Sequence, residues 1–166
     1  MPKSIPVQAL YSACMDGDTA AVSRLLPLAT PRNLSGPHFQ HPVTKNTPLI
    51  AAAVRGYTEI VRLILERAPI TPVDHARAND TTALCMAADF HHVDTLQLLA
   101  DRGADVNVKG LCGLTPLPLA VGQNHPNGRP RDPDPDGARQ LATARALLRL
   151  GTGTLPPRAA PTHWAG

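Results

Sequence analysis

With 166 residues, the chain has the length of one domain. Only 3% of its residues are aromatic and 17% are charged, the latter below the roughly 25% of an average globular domain, so any core must be built from Leu, Ala, Val and Ile. A net charge of +3, with no dense Lys/Arg run, argues against nucleic acid as a partner, and no stretch nears the ~20 apolar residues that cross a membrane.

Helical patterning begins soon after Met1-Pro2-Lys3-Ser4, which carries no apolar targeting run. Helices are expected near 6–15 and 19–26, the second burying Val22, Leu25 and Leu26. Pro27, Pro31, Pro37 and Pro42 then make an irregular connection up to Asn46. A second pair is expected near 48–55 and 58–67, where Ile60, Val61, Ile64 and Leu65 recur at helical spacing. A third is expected near 82–90 and 92–102, with Leu96, Leu98 and Leu99 pointing inward and Gly103 as the stop. A fourth starts near 115–121, with Pro116 in the first turn where its missing N–H is no loss, and resumes at 138–150.

Residues 122–137 separate the two halves of that fourth pair. Their core, Asp132-Pro133-Asp134-Pro135-Asp136, cannot form a helix and implies an exposed insertion. Residues 152–166 form a Pro-rich tail holding Leu155 and the only tryptophan, Trp164. The tail is open to two readings, a frayed terminus or a cover over the apolar end of the last helix pair.

The helix pairs repeat. Taking the leucine of each first helix as a marker gives Leu10, Leu49, Leu84 and Leu117, spaced 39, 35 and 33 residues apart. Alanine follows each marker three residues on, at Ala13, Ala52, Ala87 and Ala120, which keeps both on one helix face. A period near ~33 indicates stacked helical units, each burying its face on its neighbour. Thr47-Pro48-Leu49 and Thr115-Pro116-Leu117, the turn glycines Gly17 and Gly56, and the ending Gly103-Ala104-Asp105-Val106-Asn107 resemble the ankyrin repeat family. The resemblance covers four units, approximately 5–37, 45–78, 80–112 and 113–151, within one domain over 1–151. It implies an all-α solenoid of helix-turn-helix units with short β-hairpin fingers. Two departures stand out. The family's histidine after the marker leucine is replaced by Tyr11, Ile50, Cys85 and Pro118, and His91 stands where Gly56 stands one unit earlier. That turn position commonly needs a left-handed backbone, which costs histidine more than glycine.

Candidate chemistry is sparse. Cys14 and Cys85 fall beside the alanine pairs and are expected to be buried, while Cys112, on a finger tip, has no histidine placed in sequence to activate it. His38 and His41 have a metal-like spacing but no further ligand pair, and His91-His92 is an adjacent pair at a turn. Asp132, Asp134 and Asp136 lack the glycine and closing glutamate of a calcium loop. No catalytic residue, metal or cofactor is therefore expected. An odd cysteine count at wide spacing suits a reducing compartment, the cytoplasm, and a composition rich in Ala and Arg points to a high-GC, bacterial genome.

A recognition role fits better. The resemblance implies that another protein docks on a concave face made of fingers and first helices. Carried onto this chain, the finger positions are Lys45, Asn46, Asn79, Asp80, Lys109 and Leu111. The first-helix positions are Met15, Asp16, Val54, Arg55, Asp89 and Phe90, with Tyr57 and His92 at the starts of the second helices. Met15, Val54 and Phe90 recur at one place in successive units and are expected to form an apolar row. The expected protein is a monomer when unbound that inhibits or neutralises its partner, as an immunity-type or effector protein if bacterial. The competing reading is a structural or self-assembling subunit.

Overall fold

The computed structural model describes residues 7–28, 46–67, 73–76, 80–110, 113–121 and 137–151. Its helices come in pairs. Helix α1 (Val7–Asp16) is followed by α2 (Thr19–Leu25), which runs into a 3-10 turn at Leu26–Leu28. Then come α3 (Pro48–Arg55) with α4 (Thr58–Arg67), α5 (Ala83–Asp89) with α6 (Val93–Asp101), and α7 (Pro116–Ala120) with α8 (Ala138–Arg149). The first helices stack in one layer, α1 on α3, α3 on α5 and α5 on α7; the second helices stack in another, α2 through α4 and α6 to α8.

The core lies between and within these layers. All four marker leucines and the alanines three residues on are buried. Small side chains let the first helices approach closely, while the leucines fill the space left between them. Helix α5 has a first helix on either side and α6 behind it, and each of its seven residues is buried.

Helix starts explain the lengths. The Thr47 hydroxyl accepts the Ile50 N–H at 3.2 Å, and the Thr82 hydroxyl accepts the Cys85 N–H at 3.3 Å. Each satisfies a donor that the first helical turn would otherwise orphan. Thr115 holds the same place before α7 but makes no such bond. The residue three positions on is Pro118, which has no N–H to give. Helix α7 stops after five residues.

The turns between paired helices share one hydrogen bond. Asp18 N–H donates to Ala13 O at 3.0 Å, Tyr57 N–H to Ala52 O at 3.1 Å and His92 N–H to Ala87 O at 2.9 Å. The residue before each donor is left-handed, with φ of +77° at Gly17, +70° at Gly56 and +61° at His91. The packing of α5 against α6 therefore imposes on a histidine the backbone that glycine adopts elsewhere, at a cost of about 1 kcal/mol.

Before α7, Gly110 N–H donates to Leu114 O at 2.9 Å and Gly113 N–H to Gly110 O at 2.8 Å. A Cβ on Gly110 would stand 2.5 Å from Cys85 Sγ, so the finger backbone sits directly on that thiol. No strand occurs among the described residues, so the expected β-hairpin fingers are represented there by turns. Asp105 N–H donates to the Asp74 carboxylate at 3.1 Å and 3.2 Å, tying two successive fingers together. On the outer layer Arg102 pairs with Glu66 at 3.0 Å across α6 and α4, an exposed contact contributing about 0–1 kcal/mol. No helix among the described residues is long and apolar enough to cross a membrane. The insertion up to Asp136, the tail from residue 152, His38, His41 and Cys112 all lie outside the described residues.

Candidate functional site

Two of the turns that follow a first helix are completed by a side chain from the next unit. The Tyr57 ring lies over Gly17, where an added Cβ would stand 2.9 Å from Tyr57 Cζ. One unit on, His92 lies over Gly56, where an added Cβ would overlap its Nδ1. Both glycines are thus needed twice, for their positive φ and for the room they leave. The His92 ring is further held by Nε2, which lies 3.1 Å from the Val54 carbonyl oxygen. A carbonyl only accepts, so this nitrogen donates and carries the ring proton. Phe90, the C-cap residue of α5, stacks on His92 with ring centroids 6.4 Å apart and planes 9° apart.

The result is a line of rings along the turn edge of the stack, seated on backbone or on one another. Tyr57 is 36% exposed and Phe90 40% exposed. Rings already fixed by packing lose little freedom when a second surface closes over them. Arg55, exposed as the last residue of α3, is separated from Tyr57 only by Gly56. A depression of about 260 Å³ beside the rings includes Thr58, His92, Asp94 and Thr95 in its lining. That is below the roughly 300–1,000 Å³ of small-molecule sites, so it suits a side chain of a larger ligand better than a free metabolite.

The structure divides the sequence-derived residues between two ends of the first helices. Asp16, Arg55, Tyr57, Phe90 and His92 stand at the turn end. Asp80 and Lys109, both exposed, stand at the finger end. The eight-residue α3 sets the separation between the ends at about 12 Å. Two residues expected on the surface are instead buried. Asn46 precedes the cap residue Thr47 just as buried Thr81 precedes Thr82, and Asp89 is enclosed within α5. Both side chains are thus largely withdrawn from the surface. Met15 and Val54 are half-buried and packed on the core, so the expected apolar row reaches solvent chiefly at Phe90. Lys45, Asn79 and Leu111 lie outside the described residues.

Gly17 and Gly56 were not among the sequence-derived site residues, although they carry the rings. Their signal was the register, an aromatic ring one residue after the turn of the following unit. The two described thiols, Cys14 and Cys85, add no nucleophile here. Burial pushes Cys14 up to about 12, and burial also raises Cys85 against a partial lowering by its bonds to Thr82, so both are protonated at neutral pH. Among the described residues no group of three or more His, Cys, Asp or Glu is placed to hold a metal ion.

Comparison with known proteins agrees with this architecture. A family model described as ankyrin repeats (3 copies) matches residues 10–110. The human ankyrin repeat and KH domain-containing protein 1 is 36% identical over 108 residues, covering 65% of this chain and 4% of that protein. The Drosophila melanogaster ankyrin repeat and KH domain-containing protein mask is 36% identical over 109 residues, covering 66% of this chain and 3% of that protein. A probable E3 ubiquitin-protein ligase of Oryza sativa subsp. japonica is 35% identical over 77 residues, covering 46% of this chain and 15% of that protein. The chain thus spans a small part of the length of the relatives it matches. With more than half of its residues matched by three successive copies of the repeat, the chain belongs to the ankyrin repeat family.

Proposed function

We propose that this chain is a non-catalytic recognition module that captures one partner protein. Ankyrin repeats generally act as protein–protein interaction modules. The observation that carries the reading for this chain is the pair of part-exposed rings, Tyr57 seated on Gly17 of the preceding unit and Phe90 stacked on His92 of its own, with Arg55 close in sequence. Aromatic and arginine side chains fixed in this way are the residue types that anchor interfaces. The partner spans from the turn edge across the first helices to the fingers at Asp80 and Lys109, with Lys45, Asn79 and Leu111 completing the finger side. Capture inhibits or neutralises the partner, in the manner of an immunity-type or effector protein if the source is bacterial. The unbound chain is a monomer in a reducing, cytoplasmic setting.

The test is affinity capture from source lysate, with wild type beside an Arg55→Glu, Phe90→Ala variant whose circular dichroism matches wild type. Loss of a buried aromatic anchor costs about 2 kcal/mol or more, roughly 30-fold in Kd, so the variant is expected to release the partner. A partner held equally by both proteins removes the rings from the site and moves recognition elsewhere on the chain.

A further inference from the structure

The rings of the turn edge stand among charges opposite in sign to the chain as a whole, whose net charge is +3. Over the described turns 16–18, 55–58 and 90–95, the formally charged residues are Asp16, Asp18 and Asp94 against Arg55, all exposed. The Tyr57 ring rests on Gly17, which Asp16 and Asp18 flank in sequence. Asp94 lines the depression of about 260 Å³ together with His92, on which Phe90 stacks. With histidine neutral, Asp94 is the only charged residue of that lining among the described residues. Each ring seat thus has a carboxylate beside it.

Folding explains only some of these carboxylates. Asp18 caps α2, accepting the Ala21 N–H at 2.8 Å, and Asp94 stands in the first turn of α6, where a negative charge favours the helix. Asp16 is the last residue of α1, the end at which the helix dipole disfavours an anion. Its side chain is exposed, so stability gives no reason for the charge.

A ring and a carboxylate side by side select a cation. The face of Tyr57 or Phe90 attracts a guanidinium or ammonium group, and the neighbouring carboxylate accepts a charge-assisted hydrogen bond from it. The two seats are one repeat apart, roughly 8–10 Å for stacked helices. A polyproline-II segment brings side chains i and i+3 to one side about 9 Å apart and leaves its carbonyls without internal partners. Arg55 stands between the seats, with guanidinium donors for those carbonyls. On the basis of the recognition role given above, we propose that the turn edge binds an extended, basic segment of the partner protein. One cation sits on Tyr57 beside Asp16 and Asp18, and a second, three residues along the segment, sits on Phe90 beside Asp94.

The probe is a peptide of repeated Arg-Pro-Pro triplets, titrated into the isotope-labelled full chain and followed by NMR, beside a Glu-Pro-Pro counterpart. Amide shifts are expected at 16–18, 55–58 and 90–95 with the basic peptide only, and added salt is expected to weaken binding. Asp16→Asn and Asp94→Asn are each expected to raise Kd several-fold. The unfolding midpoint of Asp16→Asn is expected to stay at or above that of wild type, a split that a merely structural carboxylate would not give. No binding of the basic peptide, shifts elsewhere on the chain, or an unchanged Kd in both variants overturns the proposal. Affinity capture separates this failure from failure of the recognition site itself. A partner lost from the Arg55→Glu, Phe90→Ala variant but held by an Asp16→Asn, Asp94→Asn variant leaves the ring site standing and overturns its basic ligand. A partner held by both variants overturns the ring site and the cation seats with it.

Discussion

The two middle helix pairs and the last pair follow one plan with different results. Pairs α3/α4 and α5/α6 each have a threonine whose hydroxyl caps the first helix, and a tight turn covered by a neighbour or built on shared backbone bonds. Pair α7/α8 keeps the apolar half of the plan, with Leu117, Ala120 and Leu147 buried in register. It lacks the polar half. Thr115 makes no cap bond and Pro118, three residues on, has no N–H to offer it, α7 is five residues long, and sixteen residues, 121–136, stand between it and Gly137. The family match likewise ends at residue 110, before this pair begins. Apolar register is enough to place a helix in the stack, whereas cap and turn chemistry set how long that helix is and how directly its partner follows.

Glycine substitutions test this contrast most severely. Gly56→Ala must take a left-handed backbone and displace the His92 ring, so a loss of about 2–4 kcal/mol is expected. Gly151→Ala at the end of α8 meets the backbone cost but has no described residue within 4 Å of the added carbon, so about 1 kcal/mol is expected. Urea denaturation midpoints of the two variants would measure the gap, and equal losses would show that the ring over Gly56 adds nothing.

Cap substitutions sharpen the comparison at intermediate scale. Thr47→Ala is expected to cost about 1 kcal/mol and Thr115→Ala only a few tenths, because just the first removes a bond. Pro118→Ala restores the missing N–H. In that background Thr115→Ala is expected to cost about 1 kcal/mol, and the double-mutant cycle reads the difference as coupling. No coupling would mean that something other than Pro118 keeps the Thr115 hydroxyl from capping.

The smallest effect is expected at the tie between successive fingers. Burial raises the Asp74 carboxyl above its ordinary value of 3.8; the Asp105 N–H opposes this and the Asp105 charge reinforces it. The folded chain then holds this proton more tightly than the unfolded chain does. Its stabilising contribution is full below about 3.8 and falls as pH rises through the folded value. Asp74→Asn keeps an acceptor for the Asp105 N–H and cannot ionise. Its Tm is expected to decline less than that of wild type between about pH 4 and 6, and a parallel decline would place the titration on another group.

Much of the fold was legible because helix starts, markers and stops repeat at fixed offsets. The expected bounds of α3 and α4 match the structure, and those of the other described helices differ by no more than one residue at either end. The shortening of α7 was readable in principle, since the donor that Thr115 lacks is absent from the sequence itself. The site was less legible. Asp89 is polar and near a turn, and only the presence of first helices on both sides of α5 makes it interior. Asn46 has the composition of a loop residue and the environment of a core one. Seating Tyr57 on Gly17 and His92 on Gly56 required knowing which unit completes which turn, a relation between segments about forty residues apart.

That relation has a consequence for how such a chain can change. A ring donated by one unit finishes the turn of the unit before it, so the smallest exchangeable piece is not a helix pair. Deleting residues 80–110 would uncover Gly56, and grafting in a unit that starts its second helix with a small residue would leave the same gap. A duplication that cuts between a glycine and the ring that covers it carries that defect into both copies, whereas one that keeps the two together can lengthen the array without repacking.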